Sequence, residues 1–257
     1  MGKVFFLSDT HLGAGAHADP GAVERRVVAF LRSIRGEAEA VYMLGDVLDY
    51  WYEYRNCAPQ GFVRFFGALA ELADAGVKLY WYAGNHDVWL YGYLSHEIGI
   101  TIVDPPTGGD FRILDGTEFF LGHGDGLGRQ GLFMRVARPM FRSRVSRALY
   151  GAVHPRWTIG FARWWSRRSR AQGSRPEKQE AFHSRTLATL TEFGTEMSRK
   201  YPDLRYIVVG HYHSALELHV GENCTLFVLG SWDTETPVYG VWDGTEMRLA
   251  AFKMPKH

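Results

Sequence analysis

Cysteine is scarce in this chain. Cys57 and Cys224 are the two among 257 residues, too few for a disulfide framework and wrongly spaced for a zinc knuckle, which fits a reducing compartment. No stretch approaches the ~18 consecutive apolar residues that cross a bilayer. Residues 1–8 reach Asp9 and His11 before the apolar core of a signal peptide is complete, so secretion is not expected. Internal repeats and low-complexity linkers are lacking, and an apolar share of 46% excludes disordered and collagen-like classes. The most informative absence is of acid: no Asp or Glu lies between Asp125 and Glu177. That stretch carries 12 Arg and no Lys, which leaves 17 basic against 28 acidic residues elsewhere, so a net charge of +1 conceals a +12 segment set in a −11 body. Overall neutrality therefore does not exclude an anionic partner.

The apolar residues fall into strand and helix patterns. Short apolar runs at 4–7, 40–44, 77–82 and 206–209 predict buried strands, while helical spacing at 21–34 and 62–72 predicts the helices between them. Strands alternating with helices argue for right-handed βαβ units and a largely parallel sheet. Residues 111–114 and 118–121, joined by Asp115-Gly116, predict a hairpin. A long helix is expected at 178–200, followed by strands at 226–229, 238–242 and 247–252. The expected fold class is α/β: a single domain over 1–257, interrupted by a basic helical insertion near 127–175.

Five short motifs each fall just past a predicted strand or hairpin: Asp9-x-His11, Gly45-Asp46-x-x-Asp49, Gly84-Asn85-His86-Asp87, Gly122-His123 and Gly210-His211-x-His213. Any one alone reads as an ordinary turn or a surface histidine. As an ordered set they deliver side chains to one rim, because ligands of open α/β sheets bind at the carboxyl ends of strands. The set is carboxylate, imidazole and carboxamide without thiolate, which suits two divalent transition metals rather than a structural Cys-zinc site. Cations about 3.5–4 Å apart need a bridging carboxylate to offset their repulsion, and they lower the pKa of a shared water for attack on phosphorus.

These motifs, in this order, resemble the signature of the calcineurin-like metallophosphoesterases, over residues 3 to about 233. The resemblance implies a β-sandwich flanked by helices (α-β-β-α) with a helical cap. It also implies two divalent ions, Mn²⁺ first, with Fe²⁺, Co²⁺ or Zn²⁺ as alternatives. Asp9, His11 and His213 would hold the first ion, Asp46 would bridge, and Asn85, His123 and His211 would complete the second. His86 would contact the phosphate or protonate the leaving oxygen, oriented by Asp87 or Asp49. The Gly122–Gly126 run (Gly-His-Gly-Asp-Gly) and the Arg/Trp-rich insertion are similar to the UDP-2,3-diacylglucosamine diphosphatase branch, most of all its Bacteroidetes-type members. Those enzymes act in lipid A synthesis, releasing UMP and diacylglucosamine 1-phosphate. Proteobacterial members of the branch carry Arg where this chain has His86. Asp125, Arg129 and Lys178 are the candidates for substrate contact, the last two also readable as solvated surface residues. Two other functions stay open: the same chemistry on another phosphodiester or nucleoside diphosphate, and a non-catalytic scaffold of the same fold.

In the insertion, Leu132, Phe133, Val136, Met140 and Phe141 recur at helical spacing between arginines, and Trp157, Phe161, Trp164 and Trp165 sit among Arg163, Arg167 and Arg168. Basic amphipathic helices with Trp and Phe on the apolar face are interfacial anchors. The expected partners are a lipid-linked nucleotide and a membrane surface, with the chain cytoplasmic and peripheral on the inner membrane. Simple packing of these helices on the domain is the plain alternative. Nucleic acid is not expected, since no recognised nucleic-acid module accompanies the arginines. Tyr50, Trp51 and Tyr52 are read as core packing rather than as a platform for a uracil ring.

Overall fold

The computed structural model describes residues 2–15, 19–54, 57–105, 108–127, 140, 142–158, 160–161 and 176–255. Two mixed sheets face each other between helices. The first has β1 (Lys3–Leu7), β2 (Ala38–Met43), β3 (Lys78–Tyr82) and β4 (Thr101–Val103) running parallel, extended by antiparallel β10 (Val238–Trp242) and β11 (Met247–Ala251). The second is ordered β5 (Gly109–Leu114), β6 (Thr117–Gly122), β7 (Leu204–Val209), β9 (Thr225–Val228) and β8 (Leu216–His219), with β6, β7 and β9 parallel. The expected hairpin is β5–β6. The expected sandwich is what forms: the parallel strands are divided between two sheets, the first with antiparallel pairing at one edge and the second at both.

Alternation along the strands builds three cores. Phe6, Tyr42, Phe119, Val208, Phe227 and Trp242 fill the space between the sheets. Phe5, Leu7, Val41 and Met43, on the opposite face of β1 and β2, pack under α1 (Pro20–Ile34) and α2 (Val63–Asp74). Phe120, Ile207, Val209, Leu226 and Val228 pack with Leu190 of α5 (Pro176–Lys200). Strands buried on both faces read as unbroken apolar runs, which is why the sequence shows them without a period of two. The layers are thus α-β-β-α.

α3 (Tyr93–Ile98) and β4 are too short to announce themselves in sequence, and β8 is a half-exposed edge strand. Of the expected insertion, α4 (Arg144–Ala152) is described. The anticipated helix around 132–141 and the arginines from 163 to 175 lie outside the described residues, apart from Met140. α4 is seated by tyrosines: the Tyr52 hydroxyl donates to the Arg147 carbonyl (2.7 Å) and Tyr150 donates to Tyr50 (3.2 Å). Arg142 pairs with Asp104 at 2.8 Å. Trp51 and Tyr52 are 1% and 3% exposed, so these two belong to the core.

Candidate metal centre

The carboxyl ends of β1, β2 and β3 in one sheet and of β6 and β7 in the other meet at one rim. Each strand hands its last residue to a motif: Leu7 to Asp9-x-His11, Met43 to Asp46, Tyr82 to Asn85-His86-Asp87, Gly122 to His123 and Val209 to His211-x-His213. Asp9, His11, Asp46, His211 and His213 all have φ between 42° and 72°, among only seven non-glycine residues of positive φ in the described chain. Left-handed backbone costs a side-chain-bearing residue about 1–2 kcal/mol and persists where surrounding structure dictates it, often at functional sites. Here the surroundings are visible: Asp9 N–H donates to the Gly45 carbonyl (3.1 Å), His11 N–H to Asp46 (3.0 Å) and Leu12 N–H to Val47 (2.9 Å).

Both central carboxylates divide their oxygens. Asp9 Oδ2 accepts the His211 amide at 2.8 Å, while Asp9 Oδ1 is buried without a hydrogen-bond partner, 3.4 Å from His213 Nε2 and 3.8 Å from His11 Nε2. Asp46 Oδ1 accepts the His86 amide at 2.8 Å, while Asp46 Oδ2 faces the Nε2 atoms of His123 (3.3 Å), His11 (3.8 Å) and His86 (3.9 Å). One oxygen is thus fixed by the protein and the other is turned toward imidazoles.

The imidazoles are oriented in the same manner. His123 Nδ1 donates to the Leu44 carbonyl (2.8 Å), leaving Nε2 beside the Asn85 carboxamide oxygen at 3.1 Å. His86 Nδ1 donates to the Asp49 carbonyl at 3.1 Å and lies 3.5 Å from the Asp49 carboxylate. His11 and His213 bring their Nε2 atoms within 3.1 Å of each other, and His11 Nδ1 has no hydrogen-bond partner.

Asp87 does not join His86. It is fully buried, and its oxygens accept the amides of Asp46, Val47, Leu48 and Gly84 and the Trp81 indole N–H. It therefore fixes the turn that carries Asp46, and Asp49 has the place beside His86 that the sequence left open between the two. Trp81 and Glu53 were not anticipated. Buried Glu53 accepts from the Trp51 indole and the amides of Tyr91 and Tyr93, tying together the loops after β2 and β3. Nothing in the sequence distinguishes it from a solvated surface acid. Asp125 lies close enough for its charge to act on His123 and His211. Arg129 is outside the described residues, and Lys178 falls in the first turn of α5, its side chain likewise outside them.

Two glycines make this approach possible. A Cβ on Gly45, whose φ is +85°, would stand 2.6 Å from His123 Nδ1. On Gly84 it would collide with the backbone nitrogen and Oδ1 of Asp46.

The electrostatics follow from burial and one close pair. Burial disfavours a charge on His123, but the adjoining Asp46 carboxylate outweighs it and raises the imidazole to about 10. Burial would likewise raise Asp46, yet the charges of His123 and His86 hold it well below the usual carboxylate range. Burial lowers His86 and His213, and burial together with neighbouring His123 lowers His211 to about 4. Burial and the charge of Asp46 raise Asp87, against the pull of its amide donors.

This donor set fits divalent cations. Potential ligand atoms of Asp9, His11 and His213, and those of Asp46, His123 and His211, lie within 4.8 Å of one another in each trio, and His86 forms a further trio with His11 and Asp46. Buried polar atoms ordinarily find hydrogen-bond partners. The orphaned Asp9 Oδ1, and two imidazole Nε2 atoms facing each other, are what cation ligation accounts for. Asp46 stands between the first trio and the last.

The chain matches the calcineurin-like phosphoesterase family over residues 2–215 and belongs to it. That family's fold implies a dinuclear divalent metal centre, consistent with these trios. Among its relatives is a UDP-2,3-diacylglucosamine hydrolase of Porphyromonas gingivalis, 39% identical, with 98% of each chain covered. Another protein of that name, from Ralstonia nicotianae, is 30% identical over 90% of this chain and 84% of its own. A solved archaeal phosphodiesterase overlays with a TM-score of 0.47 at 15% identity, covering 97% of this chain and 99% of its own.

Proposed function

We propose that this chain hydrolyses the diphosphate of UDP-2,3-diacylglucosamine to UMP and 2,3-diacylglucosamine 1-phosphate. The observation that carries the reading is a full-length relative of that name at 39% identity, joined to a rim where two carboxylates each hold one oxygen toward converging imidazoles. In this reading the whole chain is one catalytic unit. Asp9, His11 and His213 hold one cation, Asn85, His123 and His211 the other, and Asp46 both, with Mn²⁺ the native choice for a site of oxygen and imidazole donors. Two such ions, when bound, bring positive charge to the transferring phosphoryl group and lower the pKa of an attacking water.

The chain's own residues do the rest. His86, held at Nδ1 by the Asp49 carbonyl, keeps Nε2 on the Asp46 side of the site, where it hydrogen-bonds a phosphoryl oxygen or gives its proton to the leaving oxygen. Asp49 is its positioning residue, and Asp87 acts one step further back through the Asp46 turn. Asp125, Arg129 and Lys178 are assigned to the substrate.

No helix among the described residues is long and apolar enough to cross a membrane. The reading places the chain peripherally on the cytoplasmic face of the inner membrane instead. Val145, Leu149, Trp157 and Phe161, at four-residue intervals apart from the step across Val153, are 69%, 67%, 71% and 58% exposed in a segment without acid, and this supports docking on anionic lipid.

The test is relative turnover of UDP-2,3-diacylglucosamine, a cyclic nucleotide and bis-p-nitrophenyl phosphate by the purified protein. The nucleotide lipid is expected to be preferred at least a hundredfold in kcat/KM; equal or faster turnover of the soluble diesters overturns the substrate assignment.

A further inference from the structure

A cavity of about 1440 Å³ opens between α4, the segment after Trp51 and the segment leading into α3, and none of the candidate metal ligands lines it. Its charges are unevenly matched. Both acids on its wall are engaged: Glu53 with the Trp51 indole and two backbone amides, Glu97 with His96 at 3.0 Å. Both cations are not. Arg144 and Arg147 line the same cavity and make no side-chain hydrogen bond or ion pair among the described residues. Arg147 Cζ lies over the Tyr91 ring, 3.1 Å from its centroid, which orders the guanidinium without neutralising it.

The two arginines are three residues apart on α4, so they share one helix face and their Cβ atoms stand about 5–6 Å apart. They also occupy the first turn of a nine-residue helix capped by Ser143, where the backbone dipole adds to their positive field. Two unneutralised guanidinium groups suit a ligand oxyanion of charge near −2. A carboxylate would leave one unpaired, whereas a phosphomonoester carries about −1.5 to −2 at neutral pH and accepts bidentate forks. Half-exposed Tyr93 and exposed Val63 offer the remainder of the ligand an amphipathic wall.

We propose that this cavity is a phosphomonoester site, separate from the metal centre, in which Arg144 and Arg147 grip the phosphate. The inference stands on the arginines and the cavity and does not depend on which substrate the metal centre hydrolyses. A nucleoside monophosphate and a sugar 1-phosphate share the recognised group.

Isothermal titration of the metal-loaded protein with UMP, glucosamine 1-phosphate and inorganic phosphate tests it. A second binding event beyond the metal centre is expected for at least one organic phosphate, and the tighter of the two identifies the source. R144Q/R147Q is expected to weaken that event at least tenfold while the event at the metal centre stays, and His123→Ala is expected to do the reverse. If the double variant loses its fold by circular dichroism, R144Q alone, whose side chain is exposed and unbonded, carries the same comparison. One event only for all three probes, or a second event unchanged by removing the arginines, overturns the proposal.

Discussion

His11 and His213, 202 positions apart in sequence, hold their Nε2 atoms 3.1 Å from each other, with the unbonded Oδ1 of Asp9 between 3.4 and 3.8 Å from both. Three donors aimed at one another, those of Asp9 and His11 buried, call for a shared cation or proton. Asp9→Ala is therefore expected to cost about one of two bound metal equivalents and to lower turnover by at least a hundredfold, about 3 kcal/mol of barrier. Metal analysis beside kinetics checks this. Full metal content with near-wild-type turnover would contradict the assignment.

Removing His86 separates positioning from ligation. His86→Ala is expected to reduce kcat by about 10²–10⁴ as loss of a proton donor, with metal content close to that of the parent. Asp49→Asn retains the backbone carbonyl that His86 uses, so its effect is expected to be smaller. A metal deficit in His86→Ala would move this residue into the ligand set, as its reach to His11 and Asp46 permits.

The chelated protein has a defined pH dependence. His123 is raised to about 10 by Asp46, above the ~6.5 of an unfolded histidine. Its contribution to stability is therefore fully present below about 6.5 and is lost as pH rises toward 10. Metal must displace that proton, since ligating imidazole is neutral, while His211 at about 4 needs no deprotonation at pH 7. Metal affinity should thus rise with pH, with release of about one proton from the His123–Asp46 pair at pH 7.5. Calorimetry in buffers of different ionisation enthalpy measures it; an affinity independent of pH between 6 and 8 would contradict the pairing.

Gly84→Ala should be disproportionately harmful for one methyl group. The added carbon meets the Asp46 backbone and its Oδ1, so the turn must shift, at about 1–3 kcal/mol for overpacking. A lower Tm and loss of the bridging ligand's geometry are expected together. Gly67→Ala, at an exposed helical site with open space around it, is the control: it should raise Tm slightly, by the ~1 kcal/mol helix preference of Ala over Gly, and leave the ligand geometry unchanged.

The exposed apolar residues of α4 and of the segment after it predict vesicle binding. L149E/W157E is expected to abolish sedimentation with anionic vesicles while turnover of bis-p-nitrophenyl phosphate is retained. Undiminished sedimentation would remove these residues from the docking surface.

Much of the centre was legible before the fold was known, because each ligand follows an apolar run directly and glycines mark the close approaches at Gly45, Gly84 and Gly210. Division of the strands between two sheets was legible only through the family resemblance, since Phe6 and Phe5 are both buried, on opposite faces, and no periodicity distinguishes their cores. Asp87 adjoins His86 in sequence yet turns to five N–H donors elsewhere, a partnership set by the chain's return past Asp46. Glu53 gains its role from backbone amides nearly forty residues away, which leave no trace in composition. That Arg144 and Arg147 have no ion pair among the described residues likewise depends on where Glu53 and Glu97 are already committed.

The most direct test of the whole account is a metal titration of the chelated protein, with UMP release from UDP-2,3-diacylglucosamine as the readout. The account predicts no UMP without metal, turnover that rises to a plateau at two Mn²⁺ equivalents, and diacylglucosamine 1-phosphate as the matching product. Metal-independent release of UMP, or a plateau at two equivalents with no cleavage of this nucleotide lipid, would contradict it.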